Sequence, residues 1–142
     1  DMSSCILSEE IDVTKYGVIY AGAQKNMAPA GLTVVIIRED LIGNAQEITP
    51  TMFNYQTHAD NDSMFNTPPC YTIYVAKLVL EWVKNEVGGL EKMKELNEKK
   101  AAILYDYLDN SKLFKGCAEK ESRSIMNVTF YLHKVYFFLC KG

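Results

Sequence analysis

Short apolar runs predict two strands in the first third of the chain. Residues 18–20 and 32–37 are nearly continuous in apolar side chains, many of them β-branched or aromatic, which is typical of short buried strands. Residues 25–31 between them contain Pro29 and Gly31, which predicts a loop. The pattern therefore predicts a packed α/β sheet edge with a loop where the first strand ends.

A helix is predicted after the weakly periodic residues 40–64, which carry many Asn, Asp and Thr side chains and one turn of helix near residues 39–41. Thr67 is the predicted N-cap and Pro68 the first helical residue. We expect this helix to run to about Glu86, since two glycines follow. Its apolar residues at helical spacing are Tyr71, Tyr74, Val75, Leu78 and Trp82.

A second amphipathic helix is predicted to end near Asn110. Its apolar stripe comprises Leu90, Met93, Leu96, Ile103, Leu104 and Leu108. The mixed Lys and Glu run over residues 91–100 is typical of a solvated helix face rather than of a binding patch. Gly88 and Gly89, between the two helices, are the best candidate for a domain boundary.

Composition restricts the class of protein. With 142 residues, 48% hydrophobic and 23% charged, the chain is globular and long enough for one core. A net charge of -3 argues against nucleic-acid binding, and no apolar run has the length of a membrane span. Asp1 stands where a start methionine is expected, so we interpret the chain as part of a longer one.

The cysteines predict free thiols in a reducing compartment, and hence a cytoplasmic protein. They show no paired spacing and no nearby set of histidines, which argues against a disulfide framework and against a metal site. The four are Cys5, Cys70, Cys117 and Cys140.

Lys25 is the candidate for chemistry. It follows the first predicted strand and lies among small residues, in the run Tyr20-Ala21-Gly22-Ala23-Gln24-Lys25-Asn26. A lysine amine removed from water is a better nucleophile toward a carbonyl cofactor, which favours a Schiff-base lysine, and small neighbours leave room for a flat ring. The alternative is an ordinary lysine at a strand end.

Six segments resemble the phosphoserine aminotransferase family of class V pyridoxal-phosphate-dependent aminotransferases, in the family's order and spacing. They are residues 1–4, 11–26, 29–31, 35–41, 63–69 and 123–128. The resemblance extends from Asp1 to about Phe130. It implies an α/β fold: part of a fold-type I transferase large domain, followed by the start of a small α+β C-terminal domain.

The resemblance also implies a division of the chain. Residues 1–88 would be the C-terminal part of the cofactor-binding large domain with a linker helix, and residues 89–142 an incomplete small domain. Residues 131–142 form an atypical tail that does not align with the family. They are interpreted as the product of an alternative exon, a read-through or a truncation, with a β-hairpin partner in the small domain as the alternative. If unpaired, residues 135–140 are also an aggregation hazard.

The implied activity is amino-group exchange between glutamate and 3-phosphohydroxypyruvate, giving phosphoserine and 2-oxoglutarate in serine biosynthesis. The implied cofactor is pyridoxal 5'-phosphate, and the implied assembly is a cytoplasmic homodimer with no nucleic-acid or membrane partner. Segments that supply further cofactor and substrate ligands in the family are missing from this sequence. We therefore expect the chain alone to be inactive.

The resemblance assigns site residues one by one. Lys25 matches the Schiff-base lysine, which also acts as general base and acid. Asp1 matches the partner of the pyridinium nitrogen, with an exposed, frayed residue as the alternative. Gln24 matches a phosphate contact, with a solvent-facing residue as the alternative. Asn66 and Thr67 match contacts to the phosphate of the other subunit's cofactor, although helix capping also explains Thr67.

Other interpretations remain open at this point. Arg123 lies in a family motif, but we expect only a structural ion pair from it. A truncated, catalytically dead form could act through dimer contacts at residues 66–69. Another enzyme of the same fold is a further alternative, such as a relative of the cysteine desulfurases or of the alanine-glyoxylate aminotransferases. Against a desulfurase, Gln24 rather than histidine precedes Lys25.

Overall fold

The computed structural model describes residues 1–132. Strand β1 (Val18–Gly22) pairs antiparallel with β2 (Thr33–Ile37), with Ile19 opposite Ile36. Their β-branched side chains suit an extended backbone. The two predicted strands and the loop between them are confirmed.

Burial differs between the two strands: buried and exposed side chains alternate along β1, whereas no residue of β2 is buried. Ile19 and Ala21 of β1 lie in the core, whereas Val18, Tyr20 and Val35 are exposed. The prediction that both strands are buried throughout is therefore wrong for residues 1–132. Successive side chains of a strand point to opposite faces. Residues 1–132 cover one face of β1, whereas Val35 and Ile36, on opposite faces of β2, are both exposed.

The connection after β2 contains short helical turns. A 3₁₀ turn, Glu39–Leu41, confirms the predicted turn of helix, and a second follows at Thr51–Phe53. Helix α1 (Tyr55–Ala59) was not predicted. Asn54 caps it, with its side chain accepting a hydrogen bond from Gln56 N at 3.0 Å. A helix this short leaves too little sequence for periodicity to reveal it.

Helix α2 (Cys70–Trp82) continues as a π-helical turn, Val83–Val87, and ends at Gly88 with a left-handed φ of 92°. The predicted end is confirmed, but the predicted start is wrong. Pro69, not Thr67, occupies the cap position, and Pro68 precedes the helix. A residue before proline is disfavoured in the helical region, so Pro68 cannot readily open a helix when Pro69 follows.

The apolar face predicted for α2 is exposed. Its buried side chains are Thr72 and Ala76, together with Val83 of the π-helical turn. Tyr71 is 71% exposed, and Tyr74, Leu78 and Trp82 are also exposed. Small side chains on the buried face let α2 approach the loop between the strands, where Thr72 Oγ1 donates a 3.3 Å hydrogen bond to Ala30 O.

Helix α3 (Leu90–Asn110) ends as predicted and buries part of the predicted stripe. Met93 and Leu108 are buried, whereas Leu96, Ile103 and Leu104 are exposed. The other buried positions are Asn97, Ala101 and Tyr105. The charged run over residues 91–100 is solvated apart from Met93 and Asn97, as expected, and includes a 2.8 Å Lys92–Glu95 ion pair.

Strands β3 (Phe114–Gly116) and β4 (Phe130–Leu132) form a second antiparallel pair, with Gly116 opposite Phe130. The rings of Phe114 and Phe130 meet edge to face with centroids 5.4 Å apart. The first two residues of the predicted tail therefore lie in a strand. The remaining predictions for the tail, including the apolar run 135–140, lie outside the described residues.

Two hydrophobic clusters lie within the core of residues 1–132. One joins the N-terminal segment, residues 1–8, to β1 and to the turn after it. Its buried residues are Ile6, Ala21, Ala23 and Met27. The other joins α3 to the C-terminal strands through Ala101, Tyr105 and Leu108, with Phe114, Ile125 and Val128 packed against them. The division of the chain at residues 88 and 89 stays a prediction.

Candidate functional site

Lys25 lies on a tight turn directly after β1. Met27 N and Ala28 N both donate to Ala23 O, at 3.0 and 2.9 Å, which closes the turn. Ala23 is fully buried, while Lys25 itself is exposed. The prediction of a lysine removed from water is therefore not met within residues 1–132. The small side chains pack inward against the N-terminal segment, which leaves Lys25 on the outside of the turn.

The carboxylate of Asp1 is held at the end of β1. Its Oδ1 accepts hydrogen bonds from Ser3 N at 2.8 Å and from Ser3 Oγ at 2.6 Å. Ser3 Oγ in turn accepts from Gly22 N at 2.9 Å. Met2 N donates to Tyr20 O at 2.8 Å. Asp1 is exposed, but hydrogen bonds tie it to the last residue of β1, near Lys25 in the chain.

Gln24 lies against the same backbone. A Cβ atom built on Gly22 would be 2.7 Å from Gln24 Oε1, so the amide of Gln24 rests directly over the Gly22 Cα. Gly22 leaves room for the amide of Gln24 because it has no Cβ atom. Asp1, through Ser3, and Gln24 therefore both lie at Gly22, three residues before Lys25 in the chain.

Asn66 and Thr67 are not joined to this group. Both are exposed, and Asn66 Nδ2 donates only to Thr67 O, at 3.3 Å. Within residues 1–132 neither side chain forms a hydrogen bond with Asp1, Gln24 or Lys25. The capping explanation for Thr67 is removed as well, because Pro69 occupies the cap position of α2.

Three asparagines support the N-terminal segment that carries Asp1. Asn26 Nδ2 donates to Ile6 O at 2.7 Å, Asn97 Nδ2 to Ser8 O at 3.1 Å, and Asn127 Nδ2 to Ser4 Oγ at 2.7 Å. Sequence reasoning assigned no role to them. No signal marks Asn97, since a polar residue in a charged helix is expected to face solvent.

Sequence reasoning also missed Ser3 and Gly22. For Ser3 a signal did exist: a serine two residues after an aspartate is typical of a turn in which the carboxylate accepts local hydrogen bonds. A glycine at a strand end can mark close approach of another group, which here is Gln24.

Arg123 forms the structural ion pair that the sequence predicted. Its Nη1 and Nη2 donate to Asp109 Oδ2 and Oδ1 at 2.9 and 2.5 Å, and its guanidinium carbon lies 4.5 Å from the centre of the Tyr105 ring. Hydrogen bonding from Arg123 lowers the pKa of Asp109 below the ordinary aspartate value. This pair lies on α3 and the segment before β4, among the residues of the second cluster.

No group of His, Cys, Asp and Glu in residues 1–132 could hold a metal ion. In the same part of the chain, no helix is both long and apolar enough to cross a membrane. Cys5, Cys70 and Cys117 are free thiols.

The aminotransferase class-V family model matches residues 1–138. Phosphoserine aminotransferase of Desulfosudis oleivorans is 54% identical over 132 residues, which are 93% of this chain and 37% of that protein. The phosphoserine aminotransferase of Haemophilus influenzae is 58% identical over 130 residues, 92% of this chain and 36% of that protein.

Solved structures show the same fold. A phosphoserine aminotransferase from Bacillus circulans subsp. alkalophilus, 48% identical, matches 94% of this chain and 37% of that chain with a TM-score of 0.87. A phosphoserine aminotransferase from Trichomonas vaginalis with bound pyridoxal phosphate, 38% identical, matches 96% of this chain and 38% of that chain with a TM-score of 0.89. The chain thus spans little more than a third of the length of these relatives, and the predicted α/β transferase fold is confirmed.

Proposed function

This chain belongs to the class-V aminotransferase family, and we propose that it is part of a phosphoserine aminotransferase that uses pyridoxal 5'-phosphate. The proposed reaction moves an amino group from glutamate to 3-phosphohydroxypyruvate, giving phosphoserine and 2-oxoglutarate. The observation that carries the proposal is that Asp1, through Ser3, and Gln24 are both held at Gly22, three residues before Lys25 in the chain. The similarity to phosphoserine aminotransferases over most of this chain supports the choice of substrate.

The donors at the end of β1 fit pyridoxal phosphate by their chemistry. The exposed primary amine of Lys25 matches the cofactor's aldehyde. The hydrogen-bonded carboxylate of Asp1 matches the ring nitrogen, and the amide of Gln24 beside Gly22 matches the phosphate. When bound, this cofactor withdraws electrons from the substrate α-carbon. Lys25 Nζ would hold the cofactor covalently until the substrate amine displaces it, and would then, as base, take the proton from the substrate α-carbon and, as acid, give it to the carbon that carried the cofactor's aldehyde.

Asp1 and Gln24 would act on the two ends of the cofactor. A carboxylate beside the ring nitrogen favours the protonated nitrogen, because opposite charges in contact stabilise each other. The amide of Gln24 would donate to a phosphate oxygen, which accepts hydrogen bonds strongly. Both residues lie on backbone that is anchored to β1.

Asn66 and Thr67 are proposed to bind the phosphate of a cofactor held by a second subunit of a cytoplasmic homodimer. Two observations support this. The pair forms no hydrogen bond to Asp1, Gln24 or Lys25 within residues 1–132, and the adjacent Met64 and Phe65 are 62% and 51% exposed. Exposed apolar side chains beside polar ones are typical of interaction surfaces.

The test uses the full-length protein, meaning a longer protein that contains this chain. Borohydride reduction with bound pyridoxal phosphate is expected to attach the cofactor permanently to the peptide that carries Lys25. Lys25→Ala should abolish the attachment. Lys15→Ala is the matched control, since Lys15 is an exposed lysine just before β1, and it should leave the attachment intact. Attachment that persists in Lys25→Ala would overturn the assignment.

A further inference from the structure

We propose that Ser3 is a positioning residue that holds the Asp1 carboxylate toward the cofactor ring nitrogen by linking it to the end of β1. This inference rests on the proposed function and adds a residue to it. The sequence motif of residues 1–4 contains Ser3, yet the roles assigned above leave it unused. Its contacts supply the argument.

The hydrogen bonds of Ser3 define the direction of its hydroxyl proton. A serine hydroxyl donates one hydrogen bond and can accept others. Gly22 N donates to Ser3 Oγ at 2.9 Å, so the hydroxyl acts as an acceptor there. The proton is then available for Asp1 Oδ1, 2.6 Å away.

This arrangement leaves one oxygen of Asp1 for another donor. Oδ1 receives both the hydroxyl and the backbone N–H of Ser3. Among residues 1–132 no hydrogen bond reaches Oδ2. A carboxylate with one oxygen held by the protein and the other open can receive a protonated ring nitrogen without rotating, which reduces the ordering cost of binding.

A second turn in the same chain shows that the link to β1 is not a property of the turn alone. Asp12 Oδ1 accepts from Thr14 N at 3.1 Å and from Thr14 Oγ1 at 2.5 Å, the same local pattern as Asp1 and Ser3. Thr14 Oγ1 forms no other hydrogen bond within the described residues. Ser3 Oγ, in contrast, also binds Gly22, 19 residues away. The Ser3 turn therefore fixes a carboxylate relative to the strand that precedes Lys25.

The test compares two cofactors in the full-length apoprotein. One is pyridoxal phosphate, and the other is its deaza analogue, in which carbon replaces the ring nitrogen. Ser3→Ala is expected to weaken binding of pyridoxal phosphate about tenfold, because a hydrogen bond to a charged group is lost, and to weaken binding of the analogue less than about twofold. Turnover with pyridoxal phosphate should fall by a similar factor.

Two further variants separate positioning from folding. Ser4→Ala is the matched control, because Ser4 Oγ bonds Asn127 and not Asp1, and it should not discriminate between the two cofactors. Ser3→Thr retains the hydroxyl and should restore preferential binding of pyridoxal phosphate. If Ser3→Ala does not fold, Ser3→Cys, with a weaker donor of similar size, is measured in its place.

Each outcome decides the proposal. Equal weakening of both cofactors, or no weakening of either, would overturn the role of Ser3 while Lys25 attachment by borohydride still supported the proposed function. Lack of attachment at Lys25 in the unmodified protein would overturn both. Selective weakening in Ser3→Ala, recovered in Ser3→Thr, supports positioning of Asp1.

Discussion

The amide of Asn97 on α3 donates a 3.1 Å hydrogen bond to the backbone carbonyl of Ser8, and both residues are buried. Asn97 is only 2% exposed, an unusual burial for an asparagine inside a charged helix. The bond satisfies a buried donor and a buried acceptor together. It also ties α3 to the segment that carries Asp1.

Asn97→Ala is therefore expected to lower the free energy of unfolding of the full-length protein by about 2 kcal/mol, since Ser8 O loses its partner in a buried place. Asn110→Ala is the control on the same helix, where the exposed amide donates to Asp106 O at 2.8 Å. It should cost less than about 0.5 kcal/mol. Urea unfolding measures the free energy of unfolding of both variants. Equal losses would show that the buried Asn97 hydrogen bond stabilises the protein no more than the exposed Asn110 hydrogen bond does.

Asp1→Asn should retain cofactor and lose most turnover, on the order of a hundredfold or more, because a neutral amide does not stabilise a protonated ring nitrogen. Asp12→Asn removes an exposed carboxylate from a similar turn and should leave turnover within about twofold. Steady-state kinetics with confirmed cofactor content distinguish them. Near-normal turnover in Asp1→Asn would remove Asp1 from the site.

Gly22→Ala is expected to weaken cofactor binding with little loss of stability. The new Cβ would displace the end of the Gln24 side chain, 2.7 Å away, and a flexible side chain moves at small cost. Gly116→Ala is the control, since its Cβ would meet Arg123 Nη2 at 3.9 Å, an ordinary contact. Cofactor titration and thermal unfolding should separate affinity from stability. Unchanged affinity would argue that Gln24 does not contact the cofactor.

Mixing two inactive variants tests the site across subunits. One subunit carries Lys25→Ala and the other Asn66→Ala. If Asn66 serves the partner's cofactor, one site of the mixed dimer collects both defects and the other collects none, so activity returns on mixing. If both residues serve one site, each subunit keeps its own defect. No recovery after confirmed subunit exchange would exclude the cross-subunit role of Asn66.

The Asp109–Arg123 ion pair should make the free energy of unfolding depend on pH in the acid range. Hydrogen bonding from Arg123 lowers the pKa of folded Asp109 below its ordinary 3.8. A lowered folded-state pKa means that the stabilisation is complete above the unfolded-state pKa and is lost as pH falls through the folded value. The destabilisation by Asp109→Asn should therefore be largest near neutral pH and shrink as the pH falls below 3.8 and through the lower folded-state pKa. Urea unfolding of the Asp109→Asn variant and the unmodified protein across this pH range measures the trend, and a destabilisation that does not change with pH would contradict it.

The sequence predicted the elements whose formation depends on residues close together in the chain. The apolar runs predicted β1 and β2, and two glycines predicted the end of the helix that contains α2. The placement of Lys25 after a strand followed in the same way. These features depend on backbone preferences within a few residues, which the sequence displays directly.

Tertiary structure alone decided which faces are buried and which residues meet. The sequence marked Tyr71 and Leu78 as the apolar face of α2, but the packed face is made of Thr72 and Ala76. The bond from Gly22 to Ser3 and that from Asn97 to Ser8 join residues 19 and 89 positions apart. Periodicity reports the geometry of one element, whereas such contacts depend on how elements approach each other, and small side chains permit an approach that hydrophobicity does not reveal.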